Sequence, residues 1–366
     1  EMCIRDSYCC MSEPITLADL GWTPLFQQQV TLEEMEGTLP ARVFEVQRTG
    51  LRLRFEGEDG GRELDVPLGG KWFQGSPEDR PTVGDWVLFN PESGAIERLL
   101  ERKSLLKRMS VNKPGDVQLI AANVDVMFLV SSCNEEFNLA RMERYLALAL
   151  DAGVQPVVVL TKADLTDDSD SYRAQAMSHS RELIVEVVNA LSAEDLEPLR
   201  AWCVRGQTIT LLGSSGVGKS TLINSLAGAE VQATGGIRED DGKGRHTTTH
   251  RSLHLLAAGG LLLDSPGMRE LGITDAESGI QSAFKDVEAL AEQCRFNDCA
   301  HETEPGCAVR AAIESGELDE RRLDSYRKLR REEMYNTETV AERHARTRQF
   351  SKMVRQHVES SHKKRD

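Results

Sequence analysis

Hydrophobic residues follow two different spacings along the 366-residue chain. Between residues 37 and 103, short runs in which apolar and polar residues alternate are interrupted by Gly, Pro and Asp, which is typical of strands. In LRLRF, residues 51–55, the alternation places the apolar side chains on one face and both arginines on the other. Such strands are predicted at residues 39–47, 51–55, 63–68, 86–90 and 95–100. Five short strands in a segment of this length predict a small OB-fold β-barrel.

From about residue 105 to residue 286, apolar strand-like runs alternate with helical spacing. Strands are predicted at residues 124–130, 154–160, 183–188, 208–212 and 259–263, and helices at residues 138–150 and 196–203. The strand at 154–160 is β-branched and almost wholly apolar, as is typical of a strand buried on both faces. This region therefore predicts a mostly parallel sheet with helices on both sides.

A phosphate-binding motif follows the strand at 208–212. The sequence GSSGVGKST matches G-x-x-x-x-G-K-[ST], a turn between strand and helix whose backbone N–H groups point at phosphate. Lys219 is predicted to reach the β- and γ-phosphates and Ser220 to bind Mg²⁺. The predicted nucleotide contacts are Gly213, Ser214, Ser215, Gly216, Val217, Gly218, Lys219, Ser220 and Thr221.

A second nucleotide motif precedes the first. TKAD, residues 161–164, stands at the carboxyl end of a predicted parallel strand, the edge at which α/β sheets bind nucleotides. The Asp164 carboxylate can accept two N–H bonds from guanine, whereas adenine presents an acceptor there and leaves the charge unpaired. Thr161, Lys162, Ala163 and Asp164 are therefore predicted to bind guanine.

Two more motifs come after the phosphate loop. In DSPG, Asp264 is predicted to hold Mg²⁺ through water and the Gly267 amide to meet the γ-phosphate. The polar segment 235–250 lies between, and Thr247 or Thr248 within it is expected to complete the Mg²⁺ shell as a switch. A solvated surface loop is the alternative interpretation of this segment.

One catalytic part is missing from the motifs. Met268 follows DSPG, and a thioether cannot polarise the water that attacks the γ-phosphate. His246 is the candidate for that role, and Lys219 and Thr248 complete the predicted catalytic residues. Contact of His246 with backbone or RNA is the alternative.

The motif order, TKAD before GSSGVGKST, HTTT and DSPG, resembles the circularly permuted GTPases. Three flanking segments, LGW at 20–22, VGD at 83–85 and AANVD at 121–125, extend the resemblance to the ribosome small-subunit-dependent GTPase A family. The resemblance runs from residue 17 over nearly the whole chain. It implies GTP hydrolysis in late maturation of the small ribosomal subunit, stimulated by that subunit, with GTP/GDP and Mg²⁺ as cofactors and rRNA as a partner. The chain departs from the family at Thr161, often Asn, and at Ser214, often Gln.

A group of metal ligands follows the GTPase motifs. Cys294, Cys299, His301 and Cys307 offer three thiolates and one imidazole, the closed ligand set of a structural Zn²⁺ site. The alternative is a set of small buried side chains, but the segment between them is polar. Cys133 and Cys203 are expected to be packed thiols.

Composition narrows the setting of the protein. With 40% hydrophobic and 28% charged residues, no membrane-spanning apolar run and no secretory signal, a cytoplasmic monomer without membrane contact is expected. The net charge is −15, but residues 321–366 carry fourteen basic and seven acidic residues. This basic tail is either an RNA contact or a solvated helix. Arg42, Arg52 and Arg54 of the barrel are likewise candidates for RNA contact or ordinary surface residues.

The sequence thus predicts a multidomain α/β protein. Residues 1–10 resemble a translated sequencing adapter and are interpreted as an assembly scar, with an N-terminal extension at 11–36. The OB-fold barrel is expected at 37–104, the circularly permuted P-loop GTPase domain at 105–286, and the zinc-binding module with its basic helical tail at 287–366. Because DSPG lies near the domain's end, nucleotide state is expected to act directly on the zinc module. Two alternative functions are a P-loop ATPase or nucleotide kinase, and a non-hydrolysing rRNA-binding scaffold. Neither explains the order of the motifs.

Overall fold

The structure is a computed structural model. It describes residues 15–47, 49–57, 60–109, 117–178, 183–228, 251–264 and 276–337. Within these residues one eleven-stranded sheet runs from a barrel into an α/β layer, and a second, two-stranded sheet accompanies it. The predicted multidomain α/β class is confirmed.

The segment predicted as an OB-fold barrel, called the barrel below, contributes five antiparallel strands to the eleven-stranded sheet. These are β1 (Leu39–Val46), β2 (Gly50–Gly57), β3 (Gly60–Pro67), β4 (Trp86–Phe89) and β5 (Ile96–Leu99). Strand β1 pairs with both β2 and β4, β2 pairs with β3, and β4 pairs with β5. Leu51, Leu53 and Phe55 all point into the barrel core, as their alternation with arginines predicts. Two short helices precede the barrel, α1 (Pro24–Gln27) and α2 (Leu32–Gly37).

The α/β layer follows the barrel along the chain. Its strands are β8 (Val126–Ser132), β9 (Gln155–Thr161), β10 (Val185–Val187), β11 (Thr208–Gly213), β12 (Ser252–Leu255) and β13 (Leu261–Asp264), in the spatial order β10-β9-β8-β11-β13-β12. All neighbours in this layer are parallel except β12 with β13. Its helices are α3 (Leu139–Asp151), α4 (Ser169–Met177), α5 (Glu197–Arg200) and α6 (Lys219–Ala227). Separate apolar clusters cover the two faces, so β9 is fully buried from Val157 to Leu160.

Four helices complete the described chain: α7 (Glu277–Ala283), α8 (Lys285–Ala291), α9 (Ala308–Glu314) and α10 (Glu320–Thr337). Helices α7 and α10 pack on α3 of the α/β layer. The C-terminal helices therefore rest on the helix that follows β8. Among the described residues, no helix combines the length and apolar character needed to cross a bilayer.

A buried arginine joins the barrel to the α/β layer. Arg42 on β1 is 1% exposed and donates to the carbonyls of Leu20, Gly84 and Asn123 and, at 2.7 Å, to the hydroxyl of Thr208 at the start of β11. Burial lowers the pKa of this guanidinium to about 10, which still leaves it charged at neutral pH. RNA contact by Arg42 is therefore wrong, because the side chain has no access to solvent.

The other two barrel arginines are engaged in ion pairs. Arg52 bridges Asp65 and Glu45, at 2.9 and 3.1 Å, and Arg54 lies 2.6 Å from Glu63. Both face outward, as predicted, but each charge is already balanced by a neighbouring strand.

Three strands were not predicted from the sequence. Strands β6 (Leu105–Met109) and β7 (Val117–Ala122) form an antiparallel pair in a region where α/β alternation was expected. Strand β12 joins the two halves of the large sheet by pairing Ser252 with Glu45 of β1. The helix predicted at 196–203 is also shorter than expected, since α5 covers only Glu197–Arg200.

Candidate nucleotide and metal sites

The phosphate loop connects β11 to α6. Gly218, immediately before α6, has φ +90°, a left-handed conformation that side chains with a Cβ rarely adopt. At the other end, a Cβ on Gly213 would lie 2.4 Å from the Val130 carbonyl of the neighbouring strand. Gly218 is thus required by the backbone conformation, and Gly213 by the close packing of the neighbouring strand. Ser220 and Thr221 fall in the first turn of α6, whose free N–H groups favour an anion.

Lys219 folds over the loop that it follows. Its ammonium donates to the Gly213 carbonyl at 2.8 Å and to the Ser214 carbonyl. The positive charge is therefore held against the loop backbone, within the turn that the motif uses for phosphate. Ser215 and Gly216 are exposed, so this side of the loop is open to solvent.

The TKAD motif meets the phosphate loop directly. Strands β9, β8 and β11 are parallel neighbours, so their carboxyl ends lie at one edge of the sheet. The fully buried Thr161 hydroxyl lies 2.6 Å from the Val217 carbonyl and 3.1 Å from the Ser131 carbonyl. A hydroxyl has one proton, and the shorter contact marks Val217 as its principal acceptor. Thr161, a position at which the chain departs from the family that it resembles, thus supplies a hydrogen bond to the loop.

The rest of TKAD forms a tight turn at the sheet edge. Lys162 has φ +60°, and Ala163 and Asp164 begin a 3₁₀ turn, Ala163–Leu165. The Ala163 N–H donates to the Val188 carbonyl at 3.4 Å, which places the turn beside the end of the neighbouring strand β10. Asp164 is exposed at this edge, three residues from the contact with the phosphate loop.

The predicted switch residues are only partly described. Asp264 ends β13, which pairs with β11, so its carboxylate belongs to the same sheet edge as the phosphate loop. His246, Thr247, Thr248 and Gly267 lie outside the described residues. Their roles stay predictions.

Sequence reasoning missed an arginine at the phosphate loop. The Arg141 guanidinium, in the first turn of α3, donates to the Ser214 hydroxyl. The Asn138 side chain caps this helix by accepting from the Arg141 N–H at 2.8 Å. The sequence indicates the helix α3, but nothing in it indicates that Arg141 reaches a loop 73 positions away.

The four predicted metal ligands converge. The ligand atoms of Cys294, Cys299, His301 and Cys307 all lie within 4.8 Å of one another. Cys294 Sγ is 3.8 Å from Cys307 Sγ, and each of these sulfurs is 3.5 Å from His301 Nδ1. A tetrahedral ion with Zn–S bonds of about 2.3 Å and a Zn–N bond of about 2.0 Å requires edges of about 3.8 and 3.5 Å. The three distances among Cys294, His301 and Cys307 therefore match those of a tetrahedral Zn²⁺ site, with Cys299 close enough to supply the fourth ligand.

Electrostatics around the cluster favour the metal-binding forms of two ligands. Burial opposes the Cys294 thiolate, but backbone N–H groups of Val309 and Ala308 outweigh it and the pKa of Cys294 is lowered. Burial and the nearby Arg327 guanidinium lower the pKa of His301, which favours the neutral imidazole that binds a metal. Burial raises the pKa of a third ligand, Cys299, to about 11. Outside the cluster, Cys133 and Cys203 are each 1% exposed, and burial raises their pKa to about 11 and about 12, so these two are packed thiols, as predicted.

Much of the basic charge on α10 is used within the protein. Arg321 and Arg322 both bind Glu143 of α3, at 3.1 and 3.0 Å, and Arg322 also binds Asp286. Arg330 lies 2.9 Å from Glu277, while Lys328 and Arg331 are exposed. The described part of the basic tail is thus largely a packing element and not simply a solvated helix, while RNA contact by its exposed cations stays a prediction.

Comparison with known proteins agrees with this geometry. The model of the RsgA GTPase family matches residues 99–274, and an ABC transporter model matches residues 196–359. Both matches contain the phosphate loop. A Vibrio parahaemolyticus protein named small ribosomal subunit biogenesis GTPase RsgA 2 is 51% identical over 98% of this chain and 97% of its own. The chain belongs to the RsgA GTPase family.

Other RsgA GTPases and solved structures agree. The Mesorhizobium japonicum small ribosomal subunit biogenesis GTPase RsgA is 47% identical, over 88% of this chain and 91% of its own. The crystal structure of YjeQ from Thermotoga maritima superposes with a TM-score of 0.60 at 30% identity, covering 80% of this chain and 97% of that one. YloQ, described as a circularly permuted GTPase, shares the fold at 24% identity with a TM-score of 0.58, over 85% of this chain and all of that one. The chain is therefore a GTP-hydrolysing enzyme.

Proposed function

We propose that this GTPase acts in late maturation of the small ribosomal subunit and that the subunit stimulates its hydrolysis of GTP. The Thr161–Val217 hydrogen bond carries the nucleotide assignment, because it unites a guanine-specific motif and a phosphate loop in an order found in permuted GTPases. The names of the relatives from Vibrio parahaemolyticus and Mesorhizobium japonicum support the subunit as the partner. Such a partner implies a cytoplasmic protein, and one chain carries every motif, which supports a monomer.

The test of the partner is GTP hydrolysis with and without purified small subunits. We expect slow turnover by the protein alone and a large increase when the subunits are added. Large subunits at the same concentration provide the control, since both particles present charged rRNA. Equal stimulation by the two would contradict a dedicated small-subunit function and support general binding to RNA.

Guanine selection is assigned to Asp164. An Asp164→Asn variant exchanges one acceptor oxygen for an NH₂ donor, which fits the extra carbonyl of xanthine and meets the amino group of guanine unfavourably. We expect GTP affinity to fall by at least a hundredfold and xanthosine triphosphate to bind in its place. Asp167→Asn, on the same exposed loop, is the matched control. Retention of GTP affinity by Asp164→Asn would remove the base assignment.

The proposed hydrolytic residues belong to the phosphate loop, to DSPG and to the segment between these two motifs. Lys219 neutralises charge on the β- and γ-phosphates, and Ser220, Asp264 and Thr248 or Thr247 hold Mg²⁺, which screens the phosphate oxygens when bound. The Gly267 amide contacts the γ-phosphate. His246 orients the attacking water once the subunit has positioned it. His246→Ala should abolish stimulated turnover and leave GDP binding unchanged, and a normal stimulated rate would exclude His246 from catalysis.

We assign one structural Zn²⁺ to Cys294, Cys299, His301 and Cys307. The tetrahedral dimensions of the cluster and its lack of a position for substrate support a structural role. The module that it stabilises carries Lys328 and Arg331, exposed cations that we propose contact rRNA together with the residues beyond 337.

A further inference from the structure

The amino end of α3 lies against the phosphate loop. Arg141 donates to Ser214, the second residue of the motif, and its guanidinium is 3.8 Å from Glu136. The Arg141 side chain is 39% exposed, so the contact lies at the rim of the loop. It joins two segments that are distant in sequence.

The same helix is also fixed against α10. Glu143 is 2% exposed and accepts from both Arg321 and Arg322 of α10. One residue further, Arg144 forms a 2.5 Å ion pair with Glu332 of α10. These contacts hold α3, and with it the backbone that carries Arg141, in a defined position.

Ser214 is consequently held from two directions. Its hydroxyl accepts from Arg141, and its carbonyl accepts from Lys219, the residue that must move onto the phosphates. A loop that is already ordered before the nucleotide binds loses less conformational entropy on binding. Because GTP and GDP both occupy this loop, both should benefit equally.

We propose that Arg141 is a positioning residue of the phosphate loop: through the Ser214 hydroxyl it preorganises the loop and tightens binding of GTP and GDP alike. It acts on the loop rather than on the transferring phosphoryl group. An arginine that contacts that group in the transition state changes kcat by about 10³ or more. A preorganising contact changes KM and leaves kcat at saturation unaltered.

The experiment measures affinities for fluorescent GDP and a non-hydrolysable GTP analogue, together with kcat and KM, in the full-length protein. The variants are Arg141→Ala, Ser214→Ala and the double substitution. Arg173→Ala, an exposed arginine on α4, is the matched control. We expect each single substitution to lower the affinity for both nucleotides by roughly 3- to 10-fold. The kcat should stay within about twofold of that of the original protein. The double variant should bind the nucleotides as tightly as either single variant, because both substitutions remove the same contact.

Three results would overturn the proposal. A fall in kcat of about 10³ at saturation would assign Arg141 to the transition state. Additive effects of the two substitutions would show that the Arg141–Ser214 contact is not the operative one. An equal loss in Arg173→Ala would reduce the effect to overall charge. Ser214→Ala keeps the test valid even if Arg141→Ala fails to fold.

Discussion

The Thr161 hydroxyl is 2.6 Å from the Val217 carbonyl, although 56 positions separate the two residues. This contact ties the turn that carries Asp164 to the loop that carries Lys219. The segments predicted to recognise the base and to bind phosphate are therefore joined by one buried hydrogen bond.

Replacing Thr161 by valine should weaken nucleotide binding. The substitution keeps the shape but removes the donor to the Val217 carbonyl, and the loss of a buried hydrogen bond costs about 1 to 3 kcal/mol. We expect the dissociation constants for GDP and GTP to rise by roughly tenfold in a fluorescence titration. Thr161→Ser retains the hydroxyl and should stay close to the original protein. Equal losses in the two variants would point to packing rather than to the hydrogen bond.

Removing one ligand of the cysteine cluster should release the metal. Cys294→Ser leaves three ligands, so bound zinc, measured by atomic absorption, should fall from about one ion per chain to well below one. The thermal transition of the variant should also broaden or move to lower temperature. Cys133→Ser alters a buried thiol outside the cluster and should keep its zinc. A zinc content near zero in the original protein would contradict the assignment.

Glu143 should be a major contributor to stability. Glu143→Gln leaves Arg321 and Arg322 facing a neutral amide in a buried place, although Arg322 retains Asp286. We expect the free energy of unfolding in urea to fall by about 2 to 3 kcal/mol. The exposed Glu136→Gln provides the control, with a change below about 0.5 kcal/mol. A similar small change at Glu143 would mean that the interface with α10 tolerates its loss.

Acid should weaken the attachment of the N-terminal segment. A hydrogen bond from Arg205, helped by the Thr16 N–H and hydroxyl, holds the pKa of Asp19 well below its usual range. Its native pKa is lower than its unfolded pKa of about 3.9, so the stabilisation is present above that pH and is lost as the pH falls below it.

Asp19→Asn tests this dependence. The variant should be less stable than the original protein by about 1 kcal/mol at pH 7, and the difference should shrink between about pH 5 and pH 3. Urea unfolding at several pH values measures it, and the exposed Asp167→Asn should show no such trend. A constant difference across this range would exclude the ionised carboxylate as the cause.

The sequence predicted what local patterns control. A few neighbouring residues are sufficient to predict three features: the buried strand β9, the phosphate loop and the group of four metal ligands. The strands of the barrel were likewise predicted to within a few positions, because alternation reports directly on the pleat.

Contacts between distant segments were beyond these patterns. Alternation assigns Arg42 to a face of β1, but it does not reveal that another layer covers that face. The spacing of charges on α10 likewise does not show that Glu143 neutralises two of its arginines. Strand β12 has four residues and no strong periodicity, so its pairing with β1 arises only from tertiary structure.

That pairing, together with Arg42, restricts how the molecule can move. A hinge motion between the barrel and the nucleotide layer would have to break the pairing of β1 with β12. It would also have to break the hydrogen bonds from the buried Arg42 guanidinium to its four acceptors. The two should instead move together as one rigid body, so that within the described ranges any rearrangement driven by GTP turnover is confined to the helices that rest on α3.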